Sequence, residues 1–352
     1  MNLPKISIII PVYKSRDFLG KVFDSLENQS LREIEIIFVN DGSPDDSDLI
    51  IKRIAENDSR INFINQENQG PAKALQNGLK VATGSYVMFL DADDWIDKNT
   101  CEVAYNAALK EDADMVFWTF KKEYPNKTID ANLVFNKDMQ FDSNNIKWLR
   151  RRLFGLIGFE VAKPFMNDAI SSVWGKLYRR SIIINNNIQF VSTNEIGSTD
   201  VLYNAQVVKY VQRATYLHRF FNHYRQDNPS SLTKNYQFTL FNKYLKLFEF
   251  LNNELDFYNG NERIEMEQAL SNRISCSLIN IGLSITSQKI KESHGTRIKH
   301  FKEVLNHEVY TNALRSFQME YLPFHWKVYF YLCKRKWAIP AYIMTNIMNK
   351  FR

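Results

Sequence analysis

Strand-length apolar runs alternate with helically spaced segments over the first 118 residues of the chain. Residues 6–10 (ISIII) are continuous, β-branched and apolar, which predicts a buried strand stopped by Pro11. Residues 17–28 then carry Phe18, Leu19, Val22, Phe23 and Leu26 at helical spacing. Further strands are predicted at 34–39, 61–64, 86–90 and 114–118, with helices over 44–57, 70–82 and 99–110. Strand and helix at this spacing build βαβ units, hence an α/β fold with a mostly parallel central sheet and right-handed crossovers.

The alternation loosens at Lys121. Residues 121–142 are polar and irregular, fitting a long loop or a β-ribbon. Helices are predicted over 145–154 and 200–211, and a short strand at 214–219. Beyond Leu232 the spacing is helical: 238–250, 264–283, 303–321, 325–333 and 339–348. The change near Thr233 divides the chain into an α/β domain, 1–232 (halves 1–118 and 119–232), and a helical region, 233–352.

In open parallel sheets ligands bind beyond the carboxyl ends of the strands. Polar clusters fall at those ends here, at 11–15, 41–43, 68–70 and 91–94. The last, within FLDADDW (89–95), sets Asp91, Asp93 and Asp94 directly after a core strand. Packing gives no reason for that much negative charge there. Carboxylates this close raise one another's pKa unless a cation neutralises them, and oxygen ligands at this density suit Mg2+ or Mn2+. A solvated turn with capping aspartates is the competing reading. Asp41, just past the second strand, is placed either to hold a nucleoside's base or ribose or to cap the helix beginning near Pro44. The turn PVYKSRDFLG lacks a glycine-rich loop and no Walker A run occurs, which weighs against dinucleotide and P-loop folds. A diphosphate at this edge is then held by metal rather than by helix-terminal N–H groups.

Composition changes the picture mainly through charge. Hydrophobic residues make up 45% and charged residues 24%, an ordinary globular balance. Cys101, Cys276 and Cys333 are widely spaced and form no ligand pattern, so reduced, structural thiols and a cytoplasmic location are expected. No signal peptide is read at the start, and no 18-residue apolar run predicts a spanning helix. The net charge of +6 is uneven: over 281–352, twelve Lys and Arg face four Asp and Glu. Residues 321–352 interleave Phe324, Trp326, Tyr329, Phe330, Trp337 and Tyr342 with Lys327, Lys334, Arg335 and Lys336. Such a segment suits an anionic membrane surface, with peripheral attachment at the cytoplasmic face, or else a helical appendage or homo-oligomer contact. Nucleic acid is not expected, since no recognition module accompanies the charge.

Taken together, ISIIIPVYKSRDFL, FVNDGSPDDS and ENQGPAKALQNGLKVATGSYVMFLDADDW resemble, in order and spacing, the family-two bacterial glycosyltransferases of the GT-A fold. The resemblance covers Lys5 to about Leu232. It implies a nucleotide-diphospho-sugar donor, of the UDP type, and an oligosaccharide or lipid-linked glycan acceptor in surface-polysaccharide or lipooligosaccharide synthesis. It also implies Mn2+ or Mg2+ as cofactor. Donor binding maps to Pro11, Tyr13, Asp41, Gly70, Asp91 and Ala92; the DXD element is Asp91-Ala92-Asp93, with Asp93 the chief metal ligand and Asp94 orienting the acceptor or the turn. The catalytic base of the family maps to Asp200, in GSTDVLYNAQ, which requires it to take the acceptor hydroxyl's proton.

The chain departs from the family pattern at several points. Thr199 stands where a glutamate usually precedes the base, and Leu75 and Gln76 replace Arg-Asn in the helix after Gly70. VWGKLYRRSII matches a Trp-Asn-Lys-Leu-Tyr segment with Gly175 for the asparagine; Trp174 and Lys176 are expected near acceptor or phosphates, core packing being the rival for Trp174. His223, Tyr224 and Arg225, followed by Ser230, Ser231 and Leu232, match a closing HYR…SLT motif whose cations suit a diphosphate. A nucleotidyltransferase, or a sugar-nucleotide or glycan-binding protein without catalysis, are the alternatives. The first calls for a basic glycine loop that PVYKSRDF does not supply; the second draws on Thr199.

Overall fold

The computed structural model describes residues 3–131, 133–228 and 239–350. In chain order the elements are β1 (Ile6–Val12), α1 (Leu19–Glu27), β2 (Ile34–Asp41), α2 (Ser47–Ala55), β3 (Ile61–Gln66), α3 (Pro71–Val81) and β4 (Tyr86–Phe89). Next come β5 (Trp95–Ile96), α4 (Thr100–Lys110), β6 (Met115–Tyr124), β7 (Lys127–Ala131), β8 (Met139–Phe141) and α5 (Ile146–Phe154). β9 (Lys176–Arg179), α6 (Arg180–Asn185), α7 (Thr193–Ile196), α8 (Thr199–Val208) and β10 (Ala214–Arg225) follow. The remaining helices are α9 (Leu240–Glu254), α10 (Gly260–Ile285), α11 (His294–Asn306), α12 (Glu308–Ser316), α13 (Phe324–Lys334) and α14 (Ala338–Lys350). The chain forms two compact units: residues 1–146, 170–193 and 206–229, and residues 147–169, 194–205 and 230–352.

The first unit carries a sheet in the order β3-β2-β1-β4-β9-β6-β10-β5, with β7 on β6 and β8 on β10. β1 to β4 run parallel, as does β10 beside β6, while β9 and β5 run antiparallel to their neighbours. Val12, Asp41, Gln66 and Phe89 therefore end on one edge. β1 is buried on both faces, as its continuous apolar run requires. The α1 stripe Leu19, Val22, Phe23 and Leu26 is buried, with the Phe23 ring 4.8 Å from that of Phe38 in β2. Side chains of this size contribute about 1.5–3 kcal/mol each on full burial.

β1 does not stop at Pro11. The Ile9 carbonyl accepts from the Leu90 N–H, so Ile9 and Pro11 turn their polar groups toward β4, whose pairing ends at Phe89. The missing N–H of Pro11 lies on that side, where the ladder to β4 ends, while pairing with Val39 continues on the other side. Part of the polar stretch after Lys121 is a ribbon, β6 and β7 pairing from Phe120 opposite Ala131 to Tyr124 opposite Lys127.

In the second unit, the helix expected over 303–321 is broken at His307, which is extended (ψ 136°) and accepts the Val309 N–H on Nδ1 at 3.4 Å. It separates α11 from α12. Two buried arginines hold the turn after α5: Arg152 donates to the Met166 and Asn167 carbonyls, and Arg273 to the Phe154 and Leu153 carbonyls and to Asp168. Burial lowers the Arg152 pKa to about 10. Among the described residues no helix is long and apolar enough to cross a membrane.

Candidate active site

The apolar strand β4 delivers the chain to the ligand edge, and the turn there is closed by the Asp94 N–H donating to the Asp91 carbonyl at 3.1 Å. Ala92 is buried in the hydrophobic core of the unit. Asp91 and Asp93 are half-buried and Asp94 is fully buried. One carboxylate oxygen of each lies within 4.8 Å of the others. Asp94 Oδ1 accepts the Arg225 backbone N–H at 2.9 Å, whereas its Oδ2 is buried with no hydrogen-bond partner. Burial, then the charges of Asp91 and Asp93, push the Asp94 carboxyl well above the usual carboxylate range, with Arg225 pulling the other way. A buried oxygen left unpaired among three carboxylates is costly, and a hard divalent cation satisfies it. The donor set fits Mg2+ or Mn2+.

The end of β10 closes over this turn. Arg225 donates through Nε to the Asp93 carbonyl at 3.0 Å, and its guanidinium lies 5.0 Å from the Phe18 ring and 5.3 Å from that of Trp95. Asn228 donates its amide to Asp93 Oδ2 at 2.6 Å. His223 stands between two carboxylates, Nδ1 at 2.6 Å from Glu123 and Nε2 at 3.0 Å from Asp97, with its ring stacked on Trp95 at 5.0 Å. The Lys21 ammonium sits over the same indole at 3.3 Å; burial, then Arg225, lowers its pKa. Asn228, Trp95, Lys21, Glu123 and Asp97 were not singled out in the sequence. Trp95 adjoins the aspartates directly, which is the one local signal for this group. Of the matched closing motif, Ser230, Ser231 and Leu232 lie outside the described residues.

At the end of β2 the Asp41 carboxylate is buried and accepts three bonds: Gln66 Nε2 at 2.7 Å, the Gln69 N–H at 2.8 Å and the Gly70 N–H at 2.8 Å. It ties the β2 end to the loop that enters α3, not to α2. Gly70, at φ 87°, lets that loop turn into Pro71. Pro11 lies in β1 beside Val39, and Tyr13 is an exposed ring at the β1 end with the Lys14 ammonium 5.3 Å from its centroid.

Trp174 reaches the same region: it bridges to Phe89, meets Phe120 edge-on at 4.9 Å and stacks on Tyr224 at 5.5 Å. Lys176 is buried, its ammonium donating to the Ser172 carbonyl. Gly175 between them adopts φ 69°, a left-handed conformation that glycine and asparagine both tolerate. Gly175 thus stands in for the expected asparagine on backbone grounds. In α3, Leu75 is buried and Gln76 accepts the Phe190 N–H at 3.1 Å, while Lys73 faces solvent. The first unit brings together Asp91, Asp93, Asp94, Trp174, His223 and Arg225. Asp200 belongs to the second unit, in the first turn of α8, with Thr199 buried beside it and its carbonyl accepting from Asn204 at 2.9 Å.

Parallel strands that present a three-carboxylate turn at their ligand edge suit a transferase site assisted by a divalent cation. The chain belongs to glycosyl transferase family 2, whose profile matches residues 7–183. EpsH of Bacillus subtilis (strain 168), a glycosyltransferase by name, is 31% identical over 267 residues, 73% of each chain. The fold resembles that of residues 1–349 of S. aureus TarS solved with UDP-GlcNAc, at a TM-score of 0.69 and 16% identity over 99% of this chain and 92% of that one. It also resembles the mannosyltransferase PcManGT of Pyrobaculum calidifontis solved with GDP-Man and Mn2+, at a TM-score of 0.52 and 14% identity over 99% and 89%. The fold is GT-A, and the chain is a glycosyltransferase.

Proposed function

We propose that the protein is an inverting transferase that moves a sugar from a UDP-sugar to a hydroxyl of a glycan or lipid-linked glycan in surface-polysaccharide or lipooligosaccharide synthesis. The observation that carries the donor side is the turn of Asp91, Asp93 and Asp94, with an unpartnered Asp94 oxygen, under the Arg225 guanidinium. The TarS neighbour's complex with UDP-GlcNAc and the PcManGT complex with Mn2+ support a uridine donor and a divalent ion. Asp93, with Asp91 and the open oxygen of Asp94, would hold Mg2+ or Mn2+, which when bound offsets the charge that develops on the leaving diphosphate. Pro11, Tyr13, Ala92 and Gly70 shape the nucleoside side, and Asp41 acts there by fixing the loop that ends at Gly70. Arg225 contributes fixed positive charge, while Trp174, Lys176 and His223 position the surrounding chain. Asp200 removes the acceptor proton as the new glycosidic bond forms, and the nucleoside diphosphate departs from the opposite face.

A panel of UDP- and GDP-sugars with Mn2+ tests this reading. Release of nucleoside diphosphate that is lost with EDTA and with Asp93→Asn is expected. Asp200→Asn should keep donor binding and lose transfer by on the order of 100-fold or more. A wild-type enzyme that turns over no donor, or an Asp200→Asn variant with full transfer, would overturn it.

A further inference from the structure

The helices α13 and α14 leave an apolar face uncovered. Ile339, Ile343 and Ile347 recur at helical spacing along α14 and are 58%, 52% and 50% exposed. On α13, Phe324 (81% exposed), Val328 and Tyr331 recur in the same way, opposite the buried Trp326, Tyr329, Phe330 and Cys333. Trp337, 54% exposed, joins the two rows, its ring 6.2 Å from that of Tyr331. One side of each helix is therefore packed into the unit, and the other shows large apolar side chains to solvent. Scattered exposed apolar residues need no explanation, but aligned rows on consecutive helices do.

The charge around these rows has one sign. From Pro323 to Lys350 the chain contains no Asp or Glu, and Lys327, Lys334, Arg335, Lys336 and Lys350 are exposed. Lys334, Arg335 and Lys336 cluster where the helices meet, Arg335 donating to the Tyr331 hydroxyl at 3.3 Å, and Lys350 marks the far end of α14. Glu320, ahead of α13, is the nearest acidic residue along the chain. Between Ala338 and Asn349 no residue is charged at all. An isoleucine row with cations at both ends is the profile of a helix lying in a membrane interface, its apolar side among acyl chains and its cations among anionic headgroups. A second copy fits less well, because a two-fold contact through this face sets cations against cations, and from Pro323 to Lys350 the chain has no acidic residue to pair with them.

We infer that the exposed face of α13 and α14 docks the protein flat on an anionic lipid bilayer, independently of the reaction at the carboxylate turn. The experiment is co-sedimentation of the full chain with vesicles of phosphatidylcholine alone or with about 30 mol% phosphatidylglycerol. Binding to the anionic vesicles at least about tenfold stronger than to neutral ones, and weakened by salt, is expected. Ile339→Gln with Ile343→Gln should lower binding about tenfold or more on the same vesicles. Lys327→Gln with Lys334→Gln should remove most of the preference for anionic lipid. Unchanged circular dichroism and thermal midpoints establish that the variants fold, and unchanged donor hydrolysis in solution separates this result from the reaction. Wild-type protein that stays in the supernatant with both vesicles, or an isoleucine variant that binds like wild type, overturns the inference. So does a wild-type dimer in light scattering that the isoleucine variant dissolves, which would make the face a contact between copies.

Discussion

The backbone N–H of Arg225 donates to Asp94 Oδ1 at 2.9 Å, so the last residue of β10 is clamped onto the turn that follows β4. The same residue reaches the Asp93 carbonyl through Nε at 3.0 Å. Arg225→Ala keeps the backbone bond and loses the guanidinium that holds the Asp93 carbonyl and offsets the Asp94 charge. The donor KM should rise about tenfold or more while the thermal midpoint falls only a few degrees. Arg225→Lys should not restore it, because a single ammonium cannot replace the Nε–H bond to the Asp93 carbonyl while also lying near both the Phe18 and Trp95 rings. Steady-state kinetics with a melting curve for each variant check both statements.

Asp94→Asn isolates charge from shape. An amide oxygen can still accept the Arg225 N–H, so the turn should persist, yet one of the three carboxylates is gone. Mn2+ affinity, read by calorimetry on the protein without donor, should fall by about 10–100-fold. Equal affinity in the two proteins would show that Asp94 serves the turn alone.

The Asp41 carboxylate accepts from Gln66, Gln69 and Gly70 within the chain. Asp41→Ala strands two backbone N–H groups near a buried site, each worth about 1–3 kcal/mol when left unpaired. A loss of about 2–4 kcal/mol in urea unfolding is expected, with Asp41→Asn losing about half as much. If Asp41 met only the nucleoside, stability would not change and only donor binding would suffer.

The strands β1, β2 and β4 were legible because parallel strands buried on both faces read as nearly unbroken apolar runs. The acidic turn stood out for the complementary reason: charge where a core strand ends. Pro11 misled because a proline's cost depends on which side of a strand is paired, and local sequence does not carry that. The partners of the site were hidden by distance along the chain. Asn228 meets Asp93 across 135 residues, and His223 meets Glu123 and Asp97 across 100 and 126. Helical spacing likewise shows which face of α5 or α8 is apolar but not what covers it. Segments 147–169 and 194–205 pack with the C-terminal helices, which periodicity alone does not reveal.

Gly175 offers a test of backbone against side chain. A Cβ built there would come no closer than 3.6 Å, to the Trp118 carbonyl, so space is available and only φ 69° constrains the position. Gly175→Asn should cost less than about 1 kcal/mol, whereas a β-branched Gly175→Val should cost about 1–3 kcal/mol. Urea titration of the two variants gives the contrast; equal costs would place the requirement in packing.

The buried thiols predict a specific alkaline weakness. Burial pushes Cys276 and Cys333 up to about 12, from an ordinary value of 9.0. Their folded pKa lies above the unfolded one, so the unfolded chain loses these protons first as pH rises. Their contribution to stability is complete below about pH 9 and is lost progressively up to about pH 12. Each thiol accounts for about 1.4 kcal/mol per pH unit within that window. Cys333→Ala should lower stability at pH 7, because it removes buried volume, and yet flatten its decline between about pH 9 and 11 by roughly that amount per unit. Urea unfolding under reducing conditions across that range reads the slope directly. An unchanged slope would mean that water reaches the Cys333 thiol in the folded protein.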